Sequence, residues 1–212
     1  RPPRKRHYLI LMSFSHPSRK LSLKQVLIFG GLMVTFSMGI RHGFGLFNLP
    51  ITSANGWGRE TFALTIALQN LIWGAVQPIT GALADRYGAL KIMVVGGALY
   101  ALGLVGMAIS TDALNFSLAG GLLIGLAQTA TTYSVVYGIL GRNVPAEKRV
   151  WAMGIAAAAG SFGQFLMIPV EQGLLSSFGA NDALLMLALM ASLMIPIAFM
   201  LREPNVSNLQ QT

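Results

Sequence analysis

The sequence predicts an all-α membrane protein of six crossing helices, and three observations carry that expectation. Charged residues are only 10% of the 212 and hydrophobic residues 54%, whereas a typical soluble domain is roughly 25% charged. Six stretches are apolar over the length of about 20 residues that a helical crossing requires. As the chain alternates between faces, almost every Lys and Arg falls on the same side. Mean hydropathy is +0.61, and 15 basic with 7 acidic side chains could not cover the surface of a water-soluble fold of this size. Disorder is excluded, because it needs low hydrophobicity and high charge. The absence of Cys excludes a disulfide scaffold and any thiolate metal site.

Residues 1–24 read as a basic leader. Within it Tyr8–Phe14 is too short for a signal-peptide core and is followed by more positive charge. Met12 precedes a plausible start, so residues 1–11 are expected to lie upstream of it and the chain to be a fragment. The first span is expected over Gln25–Phe47 and closes on the polar run Asn55–Glu60. A second runs over Phe62–Ala84 to the turn Asp85–Lys91, and a third over Ile92–Thr111 to Asp112. A fourth covers Ala113–Leu140 and gives way to Gly141–Arg149. The fifth, Val150–Val170, and the sixth, Ala183–Leu201, are separated by Gly179–Asp182. In lipid every backbone amide must be satisfied internally, so runs of this length are helices. The alternating segments of about ten residues that mark membrane strands do not occur.

With the N-terminus in the cytoplasm, the inner side receives Arg1, Arg4, Lys5, Arg6, Arg19, Lys20 and Lys24 from the leader. It also receives Arg86 and Lys91, then Arg142, Lys148 and Arg149, then Arg202. Only Arg59 is outside, and Arg41 lies within the first span. The net charge of +8 is thereby explained as cytoplasmic anchoring against anionic lipid. Nucleic acid is not an expected partner, since there is no continuous basic face with interleaved aromatics. The expected location is a plasma membrane, of the bacterial inner-membrane type, with several passes.

The turn after the second span reads Gly81-Ala82-Leu83-Ala84-Asp85-Arg86-Tyr87-Gly88-Ala89-Leu90-Lys91. It resembles the G-x-x-x-D-R-x-G signature of the major facilitator superfamily, and departs from it at Ala89-Leu90, where many members carry basic residues. Pro145-Ala146-Glu147-Lys148-Arg149, Ala152-Met153-Gly154-Ile155, Gly160-Ser161-Phe162-Gly163 and Pro169 resemble the branch of oxalate/formate exchangers and monocarboxylate carriers. Trp57-Gly58-Arg59 with Phe62-Ala63 is similar to that branch's first outer loop. The resemblance covers roughly residues 20–204. An Arg common on the fourth span is missing, Gly120-Gly121 standing near its place. The resemblance implies half of a twelve-helix fold: six helices in a 3+3 inverted repeat, with substrate bound near the midplane against a C-terminal six-helix half absent from this chain. Residues 202–212 would begin the linker to that half. A homodimer of halves is the less favoured arrangement.

Arg41 is the most informative residue. Sixteen residues past Gln25, at about 1.5 Å per residue, it lies about 24 Å along the helix. A guanidinium there is costly unless it faces protein or a watery cavity, and it can grip a carboxylate with two parallel bonds. Substrate-anion binding is one reading. The other is that Arg41 snorkels to the headgroups or pairs with Glu171, at the same level on the fifth span. His42 points about 100° away around the helix, which favours a packed, neutral histidine, though it stands with Arg41 among the candidate substrate residues. The fourth span carries Gln128, Thr129, Thr131, Thr132, Tyr133 and Tyr137. The resemblance makes Gln128, Thr129, Thr132 and Tyr133 candidates for hydrogen-bonding substrate, while polar side chains also tie membrane helices together. Gln69, Asn70 and Gln77, before Pro78, are expected to pack toward the fifth span. Gly154, Ala158, Gly160, Gly163 and Pro169 there are expected to permit close helix contact.

Asp85 suits a cytoplasmic turn, where it can accept from free helix amides and pair with Arg86 or Arg142. The resemblance makes Gly81, Asp85, Arg86, Gly88, Lys91 and Arg142 an inner gate. No carboxylate is expected deep in the bilayer, Glu171 being placed near the outer end, so an embedded acid relay has no support in this half; anion exchange or facilitated uptake is favoured. An intramembrane serine protease would need a partner His, of which His42 alone lies in a span, and a G-x-S-x-G elbow, which is absent. No H-E-x-x-H occurs, and Asn143-Val144-Pro145-Ala146 does not repeat as a channel motif would. No cofactor or metal is expected, and no catalytic residue. The reading is therefore a non-enzymatic carrier of a small organic anion, a mono- or dicarboxylate, acting by alternating access. A drug or sugar carrier, with Arg41 structural, is the rival.

Overall fold

A computed structural model describes residues 21–203. The basic leader up to Lys20, including Met12, and the chain from Pro204 onward lie outside the described residues. Among the described residues six helices are long and apolar enough to cross a membrane: Leu23–Asn55, Arg59–Tyr87, Ala89–Ile109, Ala113–Asn143, Ala146–Phe178 and Ala180–Met200. The first, second, fourth and fifth run several residues past the expected apolar stretches, whereas the third and sixth begin three residues earlier and end one or two residues short of them; helical hydrogen bonding is not bounded by the hydrocarbon region.

Local chemistry fixes their ends. Ser22 caps the first span by accepting from the Gln25 amide at 3.2 Å, and Asp112 caps the fourth by accepting from the Asn115 amide at 2.8 Å. The second and fifth spans stop at Gly88 (φ 92°) and Gly179 (φ 82°), a conformation other residues rarely adopt. Connections of only a few residues make sequence neighbours antiparallel.

The spans are interrupted where the apolar runs gave no sign of it. The first tightens into a 3₁₀ turn over Gly43–Phe47. The fourth carries a π-helical stretch at Leu118–Leu123 and breaks at Thr132, and the sixth bends at Leu193. Such interruptions in membrane helices are tolerated where protein covers the freed backbone.

The packing order reveals the internal symmetry. The first span packs closely on the fifth, the second on the fourth, and the third on the fourth and sixth, with the first also touching the sixth. Exchanging spans one, two and three for four, five and six turns each of these pairs into another member of the set. That is the pattern of a 3+3 repeat. Small residues allow the approach. A Cβ at Gly163 would collide with the Thr35 backbone, and one at Gly39 would lie 2.8 Å from the Gly163 carbonyl. The most apolar stretches of the second and fifth spans are the least buried, 17% and 22%, so those helices keep most of their surface outside the bundle.

Candidate functional site

Two polar centres stand out. The first is built around Arg41, at the end of the regular part of the first span. Its guanidinium lies over the Trp73 ring, 5.0 Å from the centroid, and Nη2 donates to Asn70 Oδ1. Nε is buried without a partner. Trp73 in turn donates from Nε1 to Thr132 Oγ1 at 3.3 Å, so the second span links Arg41 to the break in the fourth. Asn70 and Gln69 therefore meet the first and fourth spans, not the fifth as expected; Gln69 Nε2 donates to the Gly120 carbonyl at 2.8 Å. The 3.6-residue period gives each a helix face but not the neighbour that face meets.

Arg41, His42 and Asn48 from the first span, with Phe62 and Gln69 from the second, line a cavity of about 450 Å³. His42 is exposed rather than packed. A buried acceptor on each wall, Gln69 Oε1 and Asn48 Oδ1, has no hydrogen-bond partner. The fourth span presses its backbone against the second here. A Cβ at Gly120 would lie 2.8 Å from the Thr65 side chain, and one at Gly121 2.8 Å from Leu68. This contact leaves no room for the Arg that the resembled family often places near these positions.

The polar residues of the fourth span divide between roles. Thr129 shares a hydrogen bond of 2.8 Å with Thr80, and Thr131 one of 2.8 Å with Ser37, while Tyr100 donates to the Ser37 carbonyl at 2.9 Å. Thr132 donates to the Gln128 carbonyl at 2.6 Å. These bonds tie helices and mend the break. Tyr133 stacks against Tyr137 at 5.4 Å, its hydroxyl against Gly160. Gln128 differs: it is wholly buried and neither amide atom has a partner.

Glu171 departs from expectation. It is fully buried, both carboxyl oxygens lack a hydrogen-bond partner, and it sits against the bare backbone of Gly43, where a Cβ would collide with it. Arg41 is engaged by Asn70 and Trp73 instead, and no ion pair joins it to Glu171 among the described residues. Helix level alone suggested the pair; rotation about the helix axis decides otherwise.

The second centre is at the opposite end of the bundle. Asp85 pairs with Arg142 at 2.5 Å, while Arg86 lies over the Tyr87 ring at 5.3 Å. Arg142 also grips Glu203 with a fork, Nε to Oε1 at 3.1 Å and Nη2 to Oε2 at 2.8 Å. Asn143 adds a bond of 2.6 Å to Glu203 and accepts from the Leu21 amide at 3.3 Å. The ends of the second, fourth and sixth spans and the entry to the first are thus tied together. Gly88 supplies the turn with its positive φ of 92°; a Cβ at Gly81 would meet nothing within 4 Å, and Lys91 is exposed. Glu203 escaped sequence reasoning, although an acid at the end of a span on the basic side was a signal for it. On the fifth span Gly160 and Gly163 are buried in contacts with the first, but Gly154, Ala158 and Pro169 face outward, contrary to expectation; spacing identified the small residues but not which side they occupy.

A family model described as Major Facilitator Superfamily matches residues 27–211. Over 145 residues the chain is 35% identical to Monocarboxylate transporter 11 of Mus musculus, covering 68% of this chain and 31% of that protein. Over 184 residues it is 27% identical to the Oxalate:formate antiporter of Oxalobacter formigenes, 84% of this chain and 42% of the relative. Over 125 residues it is 30% identical to Multidrug resistance protein MdtH of Photorhabdus laumondii, 56% of this chain and 30% of the relative. The matched stretches cover 31%, 42% and 30% of these relatives, so the chain spans only part of their length.

Proposed function

The chain belongs to the major facilitator superfamily, a family of transporters, and from that premise we propose that it is the N-terminal half of a carrier for small organic anions, mono- or dicarboxylates. The observation that carries this reading is Arg41. Its charge lies in a membrane-spanning helix beside a cavity, met by an amide and an indole face and, among the described residues, by no carboxylate. A positive charge at that depth calls for a counter-charge, and a transported anion supplies one.

In this reading Arg41 attracts the anion, with His42 at the cavity rim and Gln128 deeper in the bundle as further polar contacts. The Asp85–Arg142–Glu203 cluster is the inner gate, its ion pairs breaking and re-forming as the carrier alternates between faces. The N-terminus lies in the cytoplasm, as the positive-inside rule demands. A C-terminal six-helix half completes the cavity wall against the outward faces of the second and fifth spans. The names of the mouse and Oxalobacter relatives, a monocarboxylate transporter and an oxalate:formate antiporter, favour carboxylates. The multidrug-resistance relative favours a second reading, a drug carrier in which Arg41 is structural.

The test is uptake by the full-length carrier in proteoliposomes, comparing lactate, oxalate and formate with a neutral sugar and a lipophilic cation. Uptake confined to the carboxylates is expected. Uptake of the lipophilic cation alone would replace this reading with the second.

A further inference from the structure

Arg41 and the Asp85–Arg142–Glu203 cluster stand at opposite ends of the bundle, and a chain of side-chain contacts leads from the first toward the second. Asn70 and Trp73, three residues apart, share a face of the second span and hold the Arg41 guanidinium. Asn70 accepts from Nη2, and the Trp73 ring lies 5.0 Å from the guanidinium carbon. The other end of Trp73 is its N–H, and Nε1 donates to Thr132 Oγ1 at 3.3 Å. The π-face of an indole takes a cation while its N–H seeks an acceptor. One side chain therefore touches both the charge and the interruption of the fourth span.

Thr132 is where that span can bend. Its backbone is extended, with φ −107° and ψ −157°. The backbone bond that follows, from the Val136 amide to the Thr132 carbonyl, is 3.4 Å, against about 2.9–3.0 Å for an ordinary one. Hydroxyls stand in at the break: Thr132 Oγ1 donates to the Gln128 carbonyl at 2.6 Å and Ser134 Oγ to the Thr129 carbonyl at 3.1 Å. Side chains inserted into the ladder are a recognised cause of helix kinks. A hydroxyl has one proton to give; that of Thr132 goes to Gln128, and its oxygen accepts from Trp73. Beyond the break Tyr133–Asn143 runs as one helix for about 16 Å. Arg142 and Asn143 at its end hold Asp85, Glu203 and the Leu21 amide.

We propose that Trp73 couples the two ends: its ring positions Arg41 and its N–H positions the Thr132 bend, so that the state of the inner cluster sets the affinity of the Arg41 end for a carboxylate. Trp73 is a positioning residue and does not itself bind the anion. The inference rests on the anion-carrier reading and adds to it a path between the two ends. Coupling of binding free energies is reciprocal, so a change made at the inner end can be read at the outer one.

The experiment titrates oxalate and lactate calorimetrically into the purified full-length carrier, with and without Glu203→Gln. That substitution removes the charge from the inner fork and should weaken carboxylate binding by about fivefold or more. Trp73→Phe keeps a ring beneath Arg41 and removes the N–H; in that background Glu203→Gln should change affinity by less than about twofold. Thr132→Val leaves Trp73 whole but removes its acceptor, and should abolish the effect in the same way, whereas Thr132→Ser keeps the hydroxyl and should preserve it. A merely structural Trp73 would change binding or stability without changing this ratio. An undiminished effect of Glu203→Gln in either Trp73→Phe or Thr132→Val, or no effect with Trp73 and Thr132 both in place, would overturn the proposal and leave the anion carrier standing. Binding of neither carboxylate to the unaltered protein would overturn both. Thr132→Val decides the matter where Trp73→Phe does not fold.

Discussion

Arg41 and Arg142 are the same side chain at two ends of one bundle, and they are compensated in opposite ways. Arg142 faces two carboxylates, forked onto Glu203 and paired with Asp85, and its charge is cancelled within the protein. Arg41 has an amide oxygen and an aromatic face, which hold it in place but leave its charge, and its buried Nε, unanswered. The one acid at its level, Glu171, is packed against Gly43 instead. A guanidinium already paired with carboxylates has little left for an anionic ligand, whereas one held in position by neutral groups keeps its attraction. The comparison separates a guanidinium whose charge is answered by carboxylates from one whose charge is not.

The difference between the two arginines should vanish when Arg41 is made to resemble Arg142. Asn70→Asp would put a carboxylate where the amide now accepts, and anion uptake should fall on the order of 10- to 100-fold without loss of folded protein; transport assays alongside thermal melting check this. Gly163→Ala should force the first and fifth spans apart and cost about 1–3 kcal/mol, disturbing the Arg41 end, while Gly154→Ala, with nothing within 4 Å, serves as the silent control in the same melting series. At the other end the two carboxylates should prove unequal. Glu203 makes three bonds with only 10% of its side chain exposed, whereas that of Asp85 is 67% exposed. Glu203→Gln is expected to cost about 1–3 kcal/mol, and Asp85→Asn about 0–1 kcal/mol in a static fold, both read from denaturation midpoints. The smallest effect belongs to Thr129→Val, which removes the bond to Thr80 and should cost about 0.6 kcal/mol.

Much of this architecture was legible in the residues. Six spans follow from apolar length, and the Asp85 turn from its motif. Arg41 announced itself because a charge in an apolar run is expensive whatever surrounds it. What escaped depends on rotation and on neighbours brought together from distant parts of the chain. Helix spacing shows that Gln69 and Asn70 are polar on the second span; it does not show that one turns to Gly120 and the other to Arg41. Glu171 looked like a natural partner for Arg41 by depth alone. The interruptions at Gly43–Phe47 and Thr132 were hidden for a related reason: hydropathy reports what lipid tolerates, and a backbone covered by neighbouring helices can depart from the α-helix without changing the apolar count.

In the anion-carrier reading the uncancelled charge of Arg41 attracts the transported anion. Carboxylate uptake by the full-length carrier with Arg41→Gln, at membrane insertion matched to the unaltered protein, measures it. Uptake should fall by about 100-fold; uptake equal to that of the unaltered protein would remove Arg41 from the site and the anion reading with it.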